Sequence, residues 1–208
     1  MKGTLAASIC MMLMAASASA GQYNTVLDIG DAMPSFEKLP AAAGGTLSSA
    51  DLKEDIVVLV SLANHCPWVR GMDGDLVKLV DEMHGQSVRV VGFAVNHREE
   101  DRLPAMKKHA EDVGYNFTYL YDDSQALGRS LGAAHTPEYF VFDRARKLVY
   151  MGALYDSPAK MGSDGKPHYM NGPPKQLYVR DAIVAALGGK SVSVAETSAP
   201  GCTVEYER

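Results

Sequence analysis

Two runs of apolar, largely β-branched residues, at 56–62 and 88–95, set the strongest limit on how this chain can fold. Neither alternates cleanly between apolar and polar positions, which is the pattern of interior strands covered on both faces. Between them, from Pro67 to His84, apolar residues fall at Val69, Met72, Leu76, Leu79, Val80 and Met83, while Asp73, Asp75, Lys78, Asp81 and Glu82 face elsewhere. That spacing predicts a helix. Strand, helix, strand makes a βαβ unit, so the two strands run parallel with a right-handed crossover.

The rest of the chain extends this unit. A second helix is expected from Pro104, where proline suits a first turn, to Val113, stopped by Gly114. Residues 117–121 read as a strand and 124–131 as a short helix capped by Ser124. Residues 138–142 and 147–151 flank a turn at Asp143-Arg144-Ala145-Arg146, which predicts an antiparallel hairpin. Residues 157–174, rich in Gly, Pro and polar side chains, read as a long surface loop, and 175–187 as a last amphipathic helix ended by Gly188-Gly189. The expected class is α/β in three layers, a central mixed sheet with flanking helices.

The two ends of the chain carry different signals. Lys2 precedes an apolar stretch through Ile9, Met11, Met12, Leu13 and Met14, and Ala18-Ser19-Ala20 fits a small-x-small cleavage site. Residues 1–20 therefore read as a signal peptide, 21–189 as the folded domain and 190–208 as a polar C-terminal tail, so the mature protein is expected to be exported, periplasmic or secreted. The apolar stretch is shorter than the roughly 20 residues a bilayer span needs, and no stable membrane insertion is expected. With Lys2 removed, 19 Lys and Arg face 25 Asp and Glu, a net charge of −6. Nucleic acid and anionic lipid, which require a basic surface, are excluded as main partners. Only Cys66 and Cys202 remain of three cysteines, too few for a disulfide-dense scaffold; they are either one structural bridge or a reactive pair.

Cys66 lies where the first strand gives way to the helix, in Ala63-Asn64-His65-Cys66-Pro67-Trp68. It is expected to be the helix N-cap, with Pro67 as the first helical residue. A thiolate there faces unpaired backbone N–H groups and the positive end of the helix dipole. Such surroundings lower a cysteine pKa from about 8.5, and the thiolate is the nucleophile. His65 can add positive charge or shuttle a proton, Trp68 packs beside the site and offers an edge to a partner, and Arg70 lies in the first helical turn.

Ala134-His135-Thr136-Pro137 leads into a later strand. In thioredoxin-like folds a Thr-Pro at this point forms a cis-proline loop against the active cysteine. The loop is expected to leave backbone groups free for an extended thiol or peptide partner.

These segments carry a family resemblance. Gly30-Asp31-Ala32-Met33-Pro34-Ser35-Phe36 and Leu52-Lys53-Glu54-Asp55 resemble the opening of the redoxin branch of the thioredoxin superfamily, the alkyl-hydroperoxide-reductase/thiol-specific-antioxidant group. Asn64-His65-Cys66-Pro67, Tyr119-Leu120-Tyr121-Asp122, Thr136-Pro137-Glu138-Tyr139-Phe140 and Pro200-Gly201-Cys202 are similar to one peroxiredoxin-like subgroup of it. The resemblance implies a thioredoxin-like fold and a thiol oxidoreductase or peroxidase needing no cofactor, whose partner is a peroxide or a protein thiol or disulfide. It implies catalytic roles for Cys66 and Cys202, and a substrate-binding surface made by His65, Pro67, Trp68, His135, Thr136 and Pro137. There are departures: Ala63 stands where thioredoxins carry the first cysteine and peroxiredoxins the peroxide-holding threonine, and His135 stands where several relatives carry cysteine.

Three readings follow. In the first, the Cys66 thiolate attacks a peroxide oxygen or a disulfide sulfur, and Cys202 resolves the product. In the second, Cys66, His65 and His135 hold copper or zinc, with His97 as a further imidazole, although none has the local spacing of a metal motif. In the third, Cys66 and Cys202 form a permanent disulfide in a non-catalytic interaction module. The carboxylates Glu99, Glu100, Asp101, Asp122 and Asp123 read as solvated loop ends and caps.

Overall fold

A computed structural model describes residues 21–208, so the signal-peptide expectation for residues 1–20 lies outside the described residues. In chain order the elements are β1 (Leu39–Pro40), β2 (Thr46–Leu47), β3 (Ile56–Ser61), α1 (Pro67–Glu82), β4 (Val88–Ala94), α2 (Leu103–Val113), β5 (Thr118–Tyr121), α3 (Ala126–Leu131), β6 (His135–Thr136), β7 (Glu138–Phe142), β8 (Leu148–Gly152), β9 (Ala159–Met161), β10 (Pro167–Tyr169), α4 (Tyr178–Leu187) and β11 (Cys202–Thr203).

The central sheet is mixed, in the order β5-β4-β3-β7-β8. β3 and β4 are parallel, with Ile56 opposite Val88 and Ser61 opposite Phe93, as the βαβ pattern requires. β7 runs antiparallel to β3 and forms the hairpin with β8. All six residues of β3 are buried. Ile56, Val58 and Val60 face Val69, Met72, Leu76 and Leu79 of α1 and Val179, Ala182 and Ile183 of α4. Val57 and Leu59 face the other way, toward Leu127 and Leu131 of α3, Phe36 and Leu52 of the N-terminal segment, and Val204 near the C-terminus. Each such side chain, fully buried, is stabilised by about 1.5–3 kcal/mol, so this sandwich fixes the ends of β3, β4 and β7 where the cysteine region begins.

Three expectations are corrected. Helix α3 starts at Ala126, with Gln125 at φ 60° as its N-cap rather than Ser124. The Gln125 side chain is drawn inward to the carbonyls of Val95 and Glu205 at 2.9 and 2.8 Å, while the Ser124 hydroxyl donates to the Asp122 carboxylate and accepts the Ala126 N–H at 3.2 Å. Helix α4 begins at Tyr178, three residues after Lys175.

The third correction concerns 157–174, which is more than a surface loop. It contains the antiparallel pair β9–β10, packed on α1. Gly71 makes that packing possible: a Cβ there would lie 2.6 Å from the Ala159 carbonyl oxygen and 2.7 Å from backbone atoms of Lys160 and Met161. The segment beyond Gly189 is likewise built into the fold. β11 pairs with β6, and Val204 is buried in the second core. Among the described residues, no helix is long and apolar enough to cross a membrane.

Candidate functional site

The carboxyl end of β3 delivers Ala63-Asn64-His65-Cys66 to the start of α1. Cys66 is the N-cap and Pro67 the first helical residue, as the sequence predicts. Asn64 holds this turn in place: its amide donates to the Glu100 carbonyl at 2.6 Å, and its carbonyl accepts from the Tyr119 hydroxyl at 3.1 Å. Cys66 has no exposed surface, and its thiol donates to the carbonyl of Thr136 at 3.1 Å. The Thr136–Pro137 peptide is cis, and Thr136 and Pro137 are both buried. The thiol and the Thr-Pro loop therefore meet as expected.

The same carbonyl-bearing residue brings in the second cysteine. Cys202 is the antiparallel strand partner of Thr136, the residue whose carbonyl accepts the Cys66 thiol, so both cysteines are brought to one residue. Both cysteines are free thiols. Burial pushes the Cys202 thiol up to about 12, and its contact with Cys66 adds to the shift, while Lys160 and Arg98 act weakly the other way. Cys202 thus holds its proton next to the sulfur it faces.

Asp101 was hidden within the acidic run assigned to solvated loop ends, and that assignment is corrected. It is fully buried; its Oδ2 lies 2.6 Å from His65 Nδ1, and its Oδ1 accepts the His65 backbone N–H at 3.3 Å. A carboxylate on Nδ1 fixes the orientation of the imidazole next to Cys66. The run itself carried no sign of which member turns inward; only the packing of the preceding turn, Glu99–Asp101, against the β3–α1 junction decides it.

Glu138 is a second buried carboxylate with no sequence signal. Its Oε2 accepts the N–H groups of Ala134 and His135 at 2.8 and 3.1 Å, closing the loop ahead of Pro137, and burial pushes its carboxyl above the usual range. The hydroxyl of Thr136 is buried with no partner among the described residues.

Trp68 packs at the edge of the first core, with Lys160 of β9 5.7 Å above its ring. Arg70 is exposed. His135 is half-buried in β6, opposite Thr203 of β11. His97 bonds Glu207 at 2.6 Å and the Asp123 carbonyl at 2.9 Å. Among the described residues no group of three or more His, Cys, Asp or Glu is placed to hold a metal ion. Cys66, His65 and His135 thus do not assemble into the copper or zinc set of the second reading, and His97 is engaged elsewhere.

The loop before Pro137 also differs from expectation. Its backbone groups are not free: Thr136 and His135 pair with Cys202 and Thr203, and the carbonyl of Ala134 accepts the Val204 N–H at 2.9 Å.

The sequence profile of the AhpC/TSA family matches residues 29–151. Among solved structures, a hypothetical protein from Sinorhizobium meliloti is 29% identical, with 88% of this chain and 97% of that chain covered and a TM-score of 0.77. An uncharacterized conserved protein from Geobacillus kaustophilus is 32% identical over 88% of this chain and 95% of its own, with a TM-score of 0.76. A thiol:disulfide interchange protein of the thioredoxin family from Chlorobium tepidum shares the fold at 21% identity, covering 76% of this chain and 97% of its own, with a TM-score of 0.57. The search of curated sequences returned no match.

Proposed function

Because the chain belongs to the AhpC/TSA family and has a thioredoxin-like fold, we propose that it is an exported thiol oxidoreductase of peroxiredoxin-like type, with Cys66 as the reacting thiol and Cys202 as its resolving partner. One observation carries the reading: the thiol that caps a long helix donates to the carbonyl of Thr136, and Thr136 is the strand partner of the second cysteine, Cys202.

The chemistry follows from the arrangement. Cys66 loses its proton, with His65, held by Asp101, available to take it up. The thiolate attacks one oxygen of a peroxide; the O–O bond breaks, the other oxygen leaves as water or an alcohol, and Cys66 becomes a sulfenic acid. The Cys202 sulfur then attacks Cys66, forming a disulfide and releasing water. An external dithiol reduces that disulfide by two exchange steps and is itself oxidised. With a partner disulfide as substrate, Cys66 instead forms a mixed disulfide, and Cys202 displaces the partner as a thiol. Burial of Cys66 between the helix end and Thr136 favours small oxidants, which need the least opening of the fold to reach it. Ala63 supplies no hydroxyl for a peroxide; the buried hydroxyl of Thr136, without a partner among the described residues, is the donor offered instead.

Export rests on the pattern of residues 1–20, with Ala20 preceding the cleavage point. The test is mass spectrometry of the non-reduced mature protein before and after hydrogen peroxide. The expected result is a Cys66–Cys202 disulfide after treatment, and a dimedone-reactive sulfenic acid at Cys66 in Cys202→Ser. Unmodified cysteines in both proteins would refute the proposal.

A further inference from the structure

The last strand does more than carry Cys202; it fills the edge on which an extended partner would lie. Cys202 and Thr203 pair antiparallel with Thr136 and His135, and Val204 donates its N–H to Ala134. This is strand addition to an exposed edge, performed by the chain on itself. We infer that residues 201–204 are a built-in occupant of the docking edge, and that their sequence spells the partner peptide that the edge accepts: glycine directly before the cysteine and an apolar residue two positions after it.

Each position has a physical reason. Gly201 passes so close to Thr136 that a Cβ there would lie 2.4 Å from its carbonyl oxygen, 2.9 Å from its carbonyl carbon and 3.1 Å from its nitrogen. Those are backbone atoms of the loop that also receives the Cys66 thiol, so no side chain can flex away to make room. Cys202 is the strand partner of Thr136, whose carbonyl accepts the Cys66 thiol. Thr203 is exposed and sets no limit. Val204 is buried against the core that includes Val95, Leu127 and Leu131.

The occupant is secured beyond the edge itself. Glu205 donates its N–H to Asn96 at 2.8 Å and pairs with Arg98, and its carbonyl accepts from Gln125 at 2.8 Å. Gln125 also accepts the Glu207 N–H at 2.8 Å, and the Tyr206 hydroxyl donates to the Ala133 carbonyl at 2.7 Å. An outside protein reaches Cys66 only after this segment leaves. Its apparent affinity is therefore reduced by the fraction of molecules with an open edge.

The inference rests on the proposed thiol chemistry for its biological meaning, but its test needs no chemistry. Full-length reduced wild type and Gly201→Val are compared by amide hydrogen exchange, and by anisotropy with the labelled serine peptides Pro-Gly-Ser-Thr-Val-Glu and Pro-Val-Ser-Thr-Val-Glu. In Gly201→Val, protection at Val204 and Glu205 should fall while that of β3 is kept, and the glycine peptide should bind about tenfold or more tighter than to wild type. It should also bind more tightly than the valine peptide. Should Gly201→Val fail to keep β3 protection, Val204→Asp, which removes the apolar anchor, takes its place with the same expectations. Unchanged protection at Val204 and Glu205 in a folded variant, or equal binding of both peptides to an opened edge, overturns the inference. The failures are distinguishable: a peroxide-induced Cys66–Cys202 disulfide with no change in edge protection sinks this inference alone. Gated, glycine-selective binding with cysteines inert to peroxide sinks the function proposed above alone.

Discussion

The buried carboxylate of Asp101 holds His65 twice, at the ring through Nδ1 and at the backbone through the amide N–H. The residue so held immediately precedes Cys66, so in the proposed chemistry Asp101 would act on the thiol through the imidazole rather than by contact. Replacing it by asparagine keeps the volume and removes the charge. We expect Asp101→Asn to slow the peroxide oxidation of Cys66 by about tenfold or more, a share of the roughly 10²–10⁴-fold that a positioned acid–base group supplies. The pH profile of that oxidation should change as well, which a purely structural role would leave alone. Stopped-flow kinetics across pH provides the measurement, and an unaltered rate and profile would exclude a positioning role.

Cys66 meets Thr136 through its thiol and Cys202 meets it as strand partner, which predicts a disulfide that forms with little movement of either backbone. Closing it would tie β3 to the C-terminal strand and restrict most of the unfolded chain. A long closed loop of this kind is stabilising by roughly 2–4 kcal/mol. Denaturant unfolding of the oxidised protein should therefore show a higher midpoint than the reduced protein or Cys202→Ser. Equal midpoints for oxidised and reduced protein would mean that the bond strains the fold as much as it restricts the unfolded chain.

The Cys202 thiol gives a pH dependence whose sign is fixed. Its folded pKa of about 12 stands above the ordinary 9, chiefly because burial disfavours the thiolate. The unfolded chain therefore releases this proton first as pH rises. The associated stability is intact below about 9 and is lost progressively as pH climbs toward about 12. Reduced wild type should lose stability over that range more steeply than Cys202→Ser, as followed by urea unfolding at stepped pH. Iodoacetamide at pH 8 should leave Cys202 unmodified in the folded protein; ready labelling there would show that the thiol is not shielded.

What the sequence made legible follows the reach of each signal. The βαβ unit and the hairpin at 138–152 were readable because strand and helix periods are local, and the Cys66–Pro67 junction because a cap and a proline at the first helical position are adjacent residues. The meeting of Cys66 with Thr136 followed from a family pattern rather than from periodicity. Asp101 and Glu138 were not readable, because whether a carboxylate turns inward depends on N–H donors supplied from other elements or by a loop backbone. The tail read as polar because its anchors are single residues: Cys202 on Thr136, Val204 in the core, Glu205 on Arg98 and Asn96. Short strands held by scattered contacts leave no period to detect. The β9–β10 pair was missed for the same reason, although one sign of it lay elsewhere, in a glycine within a helix.

That glycine supplies the sharpest test of the packing. Helix α1 contains both Gly71 and Gly74, three residues apart, and glycine in a helix interior costs about 0.8–1.0 kcal/mol relative to alanine. By propensity alone, both replacements by alanine should stabilise. Gly74 is exposed and a Cβ there meets nothing within 4 Å, so Gly74→Ala should gain most of that amount. At Gly71 the added Cβ would lie 2.6 Å from the Ala159 carbonyl oxygen, and backbone rather than a flexible side chain must yield. Overpacking of this kind costs about 1–3 kcal/mol, which exceeds the propensity gain. Gly71→Ala should therefore lower the thermal midpoint while Gly74→Ala raises it. It should also shift β9, so that Lys160 leaves the face of Trp68 and the tryptophan emission of the folded protein changes. Stabilisation by both substitutions, with unchanged emission, would mean that the β9–β10 hairpin is not seated on α1.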